Sequence, residues 1–182
     1  MKLLATNTDM PAAVEVLSAA LATRGVALEG ARVAVLGAGG VARAVAGGLA
    51  LAGATVVVFN RTRAKAEAIA TALSGRVRAN GKATRVIAGN EEHFKCNAPR
   101  CECFHAFVNC TPVGMAGGPD PDGSPLPDDV ALDDTVTVMD TVYAPRETPL
   151  IREARSRGAR TVDGWAMFTK QAERQYALWN TD

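Results

Sequence analysis

The sequence predicts an α/β protein whose central sheet is doubly wound, mostly parallel and six-stranded, in the strand order 3-2-1-4-5-6. Short apolar runs rich in valine alternate along the chain with helical segments, as in sheets covered by helices on both faces. A glycine-rich turn at Gly37, Gly39 and Gly40 directly follows one of these runs. The 182 residues, of which 48% are hydrophobic, suit one domain with a sizeable core. This combination is typical of the Rossmann type of fold.

The elements can be placed in order from their apolar periodicity and their end signals. A helix is predicted over residues 10–24, with Asp9 as its N-cap, Pro11 in its first turn and Gly25 beyond its end. Strands are predicted over 33–36, 55–59, 84–88, 106–110, 136–141 and 160–162. Further helices are predicted over 40–52, 63–73, 148–157 and 165–179. Residues 117–129, rich in Gly, Pro and Asp, indicate one long surface connection, so residues 1–182 are taken as a single domain.

The glycine-rich turn has the pattern of a dinucleotide-binding loop. Gly37, Gly39 and Ala42 fit G-x-G-x-x-A, in which one glycine makes the turn and the next lets a diphosphate approach the backbone. The small third residue lets the helix pack on the strand. We therefore predict that residues 37–42 bind a cofactor diphosphate at a helix N-terminus, through Gly37, Ala38, Gly39, Gly40, Val41 and Ala42.

The end of the second strand indicates which dinucleotide is preferred. Sites for NAD usually carry Asp or Glu here, whereas this chain has Asn60, Arg61, Thr62 and Arg63. Two guanidinium groups and a hydroxyl can bind a 2′-phosphate through charge-assisted hydrogen bonds, so NADP is predicted over NAD. The alternative is that Thr62 only caps the following helix and the arginines are solvated.

Charge and composition narrow the choice of partners. The formal net charge of +1 gives no reason to expect nucleic acid or a membrane surface as a partner. No apolar run approaches the roughly 18 residues of a membrane span, and the N-terminus lacks the pattern of a signal peptide. We therefore expect a cytoplasmic protein that binds small molecules.

Five segments of the chain resemble, in the same order, the motifs of the shikimate dehydrogenases, including the dehydrogenase part of bifunctional dehydroquinase and shikimate dehydrogenase proteins. They are Asn7-Thr8-Asp9, similar to N-T-D; residues 35–42 with Asn60-Arg61-Thr62, similar to the cofactor loop and N-R-T; residues 109–115, similar to N-A-T-P-x-G-M; residues 140–150, similar to D-x-V-Y-x-P and T-P-L; and residues 164–175, similar to G-x-x-M-L-x-x-Q-A-x-x-Q.

The resemblance implies NADP-dependent interconversion of 3-dehydroshikimate and shikimate, a step in the biosynthesis of aromatic amino acids. It implies that Asp9 is the catalytic carboxylate and that Asn7, Tyr143 and Gln171 contact the substrate. It further implies cofactor contacts on the nicotinamide side from Thr111, Val142, Gly164 and Met167.

The chain departs from the family pattern before the N-T-D motif. In the family the Asp works beside a Lys from an N-terminal substrate domain, and here only Lys2 precedes the motif. We therefore expect the substrate domain to be absent and this chain alone to be inactive, with helix 10–24 left as a former bridge between domains. A non-catalytic NADP-binding or regulatory module remains an alternative, as does a quinate dehydrogenase.

Residues 93–110 are unusually rich in possible metal ligands: His93, Cys96, Cys101, Cys103, His105 and Cys110. Zinc could bind such a set, but C-x4-C-x-C lacks the paired C-x2-C spacing of common zinc modules. We expect no metal, and we interpret the segment as a loop with free thiols in which Cys110 is buried.

In the family, helices corresponding to 10–24 and 165–179 bridge the two domains, so loss of the substrate domain would leave apolar side chains on both helices uncovered. We expect Leu17, Phe168, Tyr176 and Trp179 to be partly exposed. Because exposed apolar patches favour association, the chain is predicted to self-associate, as a dimer or through an exchanged terminal segment.

Overall fold

The computed structural model describes residues 6–76, 78, 80–94 and 104–180. Six strands form one sheet: β1 Arg32–Leu36, β2 Thr55–Phe59, β3 Arg85–Ala88, β4 Ala106–Asn109, β5 Thr137–Asp140 and β6 Arg160–Val162. The helices are α1 Asp9–Ala22, α2 Gly40–Leu51, α3 Arg63–Leu73, α4 Pro149–Ser156 and α5 Gly164–Trp179, with a 3-10 turn at Glu91–His93.

The sheet is parallel throughout, with the order β3-β2-β1-β4-β5-β6. The predicted fold and strand order are confirmed. Leu36 at the end of β1 pairs with Phe59 on one side and Asn109 on the other, and Asn109 pairs in turn with Asp140. The carboxyl ends of the four central strands therefore meet at one edge, where ligands bind in such sheets, and the order reverses between β1 and β4.

Two apolar cores cover the two faces of the sheet because successive strand residues point to opposite sides. Val33 and Val35 of β1 are fully buried in the core on the side of α1, α2 and α3. Ala34 and Leu36 belong to the other core, which includes Phe107 and Leu150 of α4. The long connection between β4 and β5 contains no helix or strand, as its composition predicts, and it closes the second core with Leu126, Val130 and Leu132.

Helices α1 and α2 pack with very little space between them. A Cβ atom at Gly48 of α2 would lie 2.5 Å from Met10 Cγ and 2.9 Å from Val14 Cγ2, so a larger residue would force these side chains to move. Leu17, one turn further along α1, is completely buried. The expectation that Leu17 is exposed is therefore wrong, because α2 and the sheet cover this side of α1.

The start of α1 also differs from the prediction. Asp9 is not the N-cap but the first residue of the helix, and Thr8 occupies the cap position without a side-chain cap bond. The side chain of Asn7 closes the first turn instead, since its Oδ1 accepts a hydrogen bond of 2.9 Å from Met10 N. The carboxylate of Asp9 is therefore left for other contacts. Over the described part of the chain, no helix combines the length and the apolar character of a membrane span.

Candidate functional site

Gly37 makes the turn between β1 and α2 in a conformation that other residues rarely adopt. Its φ is +110°, and its N–H donates to Phe59 O at 2.7 Å, which ties the loop to the end of β2. A Cβ at this position would lie 2.8 Å from the carbonyl oxygen of Cys110, on the loop after β4. The first glycine of the motif is thus required by the fold itself.

The next two glycines border open space rather than protein. Gly39 is the N-cap of α2 with φ −80° and ψ −171°, and no side chain caps the helix. A Cβ on Gly39 or Gly40 would meet no described atom within 4 Å. Ala42 is fully buried against the core, whereas Val41 is 37% exposed. The free N–H groups of α2 therefore face an open region at the switch point, where the helix dipole favours an anion.

The loop after β2 lies beside this helix end and carries exposed arginines. Asn60 Nδ2 donates to Thr62 O at 2.9 Å and fixes the turn. Thr62 is the N-cap of α3 by position, but its hydroxyl accepts no cap bond, so capping does not occupy it. Arg63 Nε lies 2.7 Å from Glu67 Oε1, while no described residue pairs with Arg61, which is exposed. Arg61 is thus the less engaged of the two guanidinium groups.

A cleft of about 230 Å³ lies between the N-termini of α1 and α5 and the end of β5. It collects predicted residues of all three kinds: it is lined by Asp9, Val41, Thr141, Tyr143, Gly164, Met167, Phe168 and Gln171. The predicted catalytic residue, two predicted substrate residues and three predicted cofactor residues thus share one cavity, although they come from distant parts of the sequence. Asn7 and Thr111 do not line it.

Gly164 allows α5 to start directly against the loop after β5. A Cβ here would overlap the carbonyl group of Val142 and lie 2.8 Å from Tyr143 N. Asp163 caps the helix by accepting a hydrogen bond of 3.1 Å from Ala166 N. This close approach places Met167, which is buried, behind the cleft and Phe168, whose ring centroid lies 5.1 Å from that of Tyr143, at its edge.

The N-T-D segment is joined to α5 on the far side of the cleft. Gln175 Nε2 donates to Thr8 Oγ1 at 3.2 Å. Further along α1, Glu15 pairs with Arg174 at 2.8 Å and with Lys170 at 3.2 Å. These pairs lower the pKa of Glu15, chiefly through the hydrogen bond from Arg174. The two helices that carry Asp9 and Gln171 are therefore held together by polar contacts as well as by packing.

A buried polar network joins the ends of β4 and β5. Asn109 and Asp140 are both fully buried, and Asn109 Nδ2 donates to Asp140 Oδ1 at 2.9 Å. Asn109 Oδ1 accepts from Thr111 N and Oγ1, while Asp140 accepts from Val142 N and Thr148 Oγ1. Burial raises the pKa of Asp140, against the effect of these hydrogen bonds. Both residues lie within the segments that resemble family motifs, but the resemblance assigned them no role. The sequence pattern that could have indicated them is a polar residue at the end of each of two buried strands.

Comparison with known proteins places this chain in a family. A sequence model described as shikimate / quinate 5-dehydrogenase matches residues 20–91. A shikimate dehydrogenase (NADP(+)) of Methanocella arvoryzae is 37% identical over 173 residues, which cover 95% of this chain and 58% of that protein. The chain belongs to the shikimate dehydrogenase family. It spans little more than half the length of the curated relatives that it matches.

Two solved structures of the family share the fold. The shikimate 5-dehydrogenase of Thermus thermophilus, in complex with NADP(H) and shikimate, is 34% identical with a TM-score of 0.72. The match covers 96% of this chain and 56% of that one. A quinate dehydrogenase of Corynebacterium glutamicum in complex with NAD is 28% identical with a TM-score of 0.76, over 96% of this chain and 57% of that one. Family members that are similar to this chain thus differ in the cofactor bound.

The cysteine- and histidine-rich segment is described only in part. Cys96, Cys101 and Cys103 lie outside the described residues. His105 Nδ1 accepts from Arg32 N at 3.0 Å, and the His93 ring contacts the side chain of Asn90. Within the described ranges no group of three or more possible ligands forms. Cys110 as a whole residue is partly exposed, but its thiol group is buried, as predicted, and this burial together with the nearby Asp140 raises the pKa of the thiol.

Proposed function

We propose that this chain binds NADP at the edge formed by the ends of β1, β2 and β4, as the cofactor half of a shikimate dehydrogenase. The observation that carries the proposal is the open, uncapped N-terminus of α2, which lies beside a loop with two exposed arginines. The diphosphate would lie against Gly39 and Gly40, and the 2′-phosphate against Arg61, Thr62 and Arg63. The bound cofactor would supply the hydride chemistry.

The discriminating experiment compares NADP and NAD by calorimetric titration at fixed salt. Arg61→Ala should weaken NADP binding about 10- to 100-fold, because a charge-assisted hydrogen bond contributes about 1.5–3 kcal/mol. Binding of NAD should change little, since NAD lacks the 2′-phosphate. Arg85→Ala is the matched control, because Arg85 is also exposed but lies at the amino end of β3, whereas the proposed site lies at the carboxyl ends of the strands. Tighter binding of NAD than of NADP by the unmodified chain would refute the assignment of Arg61 and Arg63.

We propose further that the full catalytic unit interconverts 3-dehydroshikimate and shikimate, with Asp9 handling the hydroxyl proton. The shared cleft supports this role, because Asp9 lies there with Tyr143 and Gln171, the proposed substrate contacts, and with Met167 and Gly164, the proposed nicotinamide contacts. Asn7 holds the first turn of α1 through Met10 N and would orient this segment toward the substrate.

The chain by itself is expected to show no turnover, because the family's catalytic lysine has no counterpart in its motif pattern. An assay of NADP reduction with shikimate and with quinate tests this expectation. Robust turnover by the chain alone would refute it, and a preference for quinate would support the quinate dehydrogenase alternative. NADP binding that never yields turnover, even when a relative's substrate domain is supplied separately, would favour a non-catalytic or regulatory module.

We also propose that the chain self-associates through the outer face of α5. At about 100° per residue, five exposed residues fall within an arc of about 80° on this helix: Trp165, Phe168, Ala172, Tyr176 and Trp179. Lys170 and Arg174 point instead toward Glu15 of α1. The exposed stripe of the helix is therefore apolar, while the charged side chains of Lys170 and Arg174 lie toward α1; a typical surface helix instead exposes its polar face.

The size of this apolar stripe predicts weak association. The four aromatic residues Trp165, Phe168, Tyr176 and Trp179 are 46%, 40%, 69% and 78% exposed, so together they present roughly 450 Å² if a fully exposed aromatic side chain offers ~200 Å². Standard interfaces bury about 800 Å² per partner. A concentration-dependent dimer is therefore expected in light scattering, and Trp179→Arg should shift it toward monomer. A monomer at high concentration of the unmodified chain would contradict the proposal.

A further inference from the structure

Asp140 is a buried carboxylate with no part in the proposed chemistry. It ends β5, is fully buried and uses both oxygens as acceptors. Oδ1 accepts from Asn109 Nδ2 and from Val142 N, both at 2.9 Å, and Oδ2 accepts from Thr148 Oγ1 at 2.7 Å. None of these donors carries a charge, and no Lys or Arg of the described chain forms an ion pair with it.

A buried carboxylate without a neighbouring cation costs stability. Its presence here therefore indicates that its hydrogen bonds serve a role other than packing. The two preceding positions of the strand, Val138 and Met139, are apolar and completely buried. A fold that needed only packing here would be served by another apolar side chain. An ionised carboxylate, however, accepts several hydrogen bonds at once and can therefore organise several segments around one point.

The carboxylate joins three segments, two of which carry the proposed nicotinamide-side contacts Thr111 and Val142. Through Asn109 it reaches the loop after β4, because Asn109 Oδ1 accepts from Thr111 N at 2.9 Å and from Thr111 Oγ1 at 2.7 Å. Directly it holds Val142 N in the loop after β5. Through Thr148, whose Oγ1 also accepts from Ile151 N at 3.3 Å, it fixes the start of α4.

Val142 is thereby held from two sides. Its N–H donates to Asp140, and its carbonyl group lies against the Cα of Gly164, where a Cβ would overlap it. The position of Val142 consequently sets how α5 enters the cleft, with Met167 one turn further along. A single carboxylate thus influences Thr111, Val142 and the N-terminus of α5 together.

We propose that Asp140 is a positioning residue for the nicotinamide half of NADP. It holds the backbone of Thr111 and Val142, and through Val142 the start of α5, in the arrangement that receives the nicotinamide riboside. The inference rests on the proposed function and adds to it a residue that never touches the cofactor.

The simplest competing explanation is that Asp140 only stabilises the fold. The two explanations differ in which half of the cofactor is affected. Adenosine 2′,5′-bisphosphate would contact only the α2 N-terminus and residues 60–63, whereas NADP would also contact the loops that Asp140 holds. A positioning role therefore separates the two ligands, and a general loss of structure does not.

The test compares Asp140→Asn, Asp140→Ala and the control Thr137→Val. Asparagine can accept from Val142 N and Asn109 Nδ2 through its oxygen and donate to Thr148 Oγ1, so it should keep most of the network. Alanine removes the network. Thr137 starts the same strand, is completely buried, and its Oγ1 has no partner among the described residues, so its loss should leave the loops unchanged.

We expect Asp140→Ala to weaken NADP binding about tenfold or more, as is usual for groups that orient the contacts of a site. Binding of adenosine 2′,5′-bisphosphate should change less than about threefold, and Asp140→Asn should restore NADP binding to within about threefold. In the ligand-free chain, amide hydrogen exchange at Thr111 and Val142 should accelerate in Asp140→Ala and remain slow in Asp140→Asn.

If Asp140→Ala does not fold, Asn109→Ala takes its place, with faster exchange expected at Thr111 but not at Val142. NADP binding by Asp140→Ala equal to that of the unmodified chain, or an equal loss of both ligands, would overturn the inference and leave the proposed function standing. An unmodified chain that bound neither ligand would overturn the proposed function, and the inference with it.

Discussion

Replacing Gly39 by alanine should separate folding from cofactor binding. The backbone at Gly39 has φ −80°, which any residue adopts, and a Cβ would meet no described atom within 4 Å. Alanine lowers the entropy of the unfolded chain, worth about 0.4–1 kcal/mol in favour of folding, but it is a poorer N-cap than glycine by a similar amount. We therefore expect the free energy of unfolding to change by less than about 1 kcal/mol.

NADP binding should fall sharply in the same variant. The methyl group would occupy the space through which the diphosphate reaches the free N–H groups of α2. Loss of one charge-assisted hydrogen bond costs about 1.5–3 kcal/mol, so the dissociation constant should rise about 10- to 100-fold. Urea unfolding would measure the stability, and calorimetric titration with NADP would measure the binding.

Gly37→Ala is the matched contrast within the same loop. Its φ of +110° and the 2.8 Å approach of the Cys110 oxygen leave no room for a Cβ. Alanine forced into this conformation should lower the free energy of unfolding by about 2 kcal/mol or more, which lowers the melting temperature by roughly 4–8 °C in a domain of this size. If Gly39→Ala bound NADP like the unmodified chain, or lost as much stability as Gly37→Ala, the assignment of this loop would be refuted.

Three further variants test separate parts of the site. Gly164→Ala should destabilise the chain by about 2 kcal/mol or more in urea unfolding, because the methyl group meets the backbone of Val142; unchanged stability would contradict this packing. Glu67→Gln should strengthen NADP binding about two- to fivefold, because it frees Arg63 and removes a negative charge near the proposed phosphate site; unchanged or weaker binding would argue against a role for Arg63. Asp140→Asn should remove a pH dependence of stability: the folded chain raises the pKa of Asp140 above its ordinary 3.8 and so binds the proton more tightly than the unfolded chain. The free energy of unfolding of the unmodified chain, relative to that of Asp140→Asn, should therefore fall as the pH rises from 3.8 through that raised pKa. A relative increase over the same pH range would show that the hydrogen bonds to Asp140 outweigh the effect of its burial.

The strands and helices were predictable because each is encoded locally. Strand β2 was predicted with its observed bounds, Thr55–Phe59, because a run of β-branched residues followed by Phe59 lies between Gly53 and Asn60 and leaves little choice. The ends were less certain: Cys110 and Thr141 lie just outside β4 and β5. The start of α1 was misplaced by one residue, because Asn7 and Asp9 are both good capping residues and only the folded chain selects between them.

The dinucleotide motif was equally predictable, since its three small residues act within a few positions of one another. The ion pair between Arg63 and Glu67 also follows from a local pattern, since residues four apart on a helix lie side by side. The exposure of Leu17 was wrongly predicted because the sequence does not show that Gly48 lets α1 approach α2 so closely. For Phe168, Tyr176 and Trp179 the expected exposure is confirmed.

By itself, the sequence determined the class of fold, the order of the strands and the loop at the end of β1, because these depend on periodicity, connection rules and local backbone requirements. Only the tertiary structure decided that Asp9, Tyr143 and Gln171 share one cleft and that Asn109 meets Asp140. The last pair is separated by 31 positions, and the parallel register of β4 and β5 brings the two side chains together. Such contacts depend on how distant segments align in space, which no local pattern of residues records.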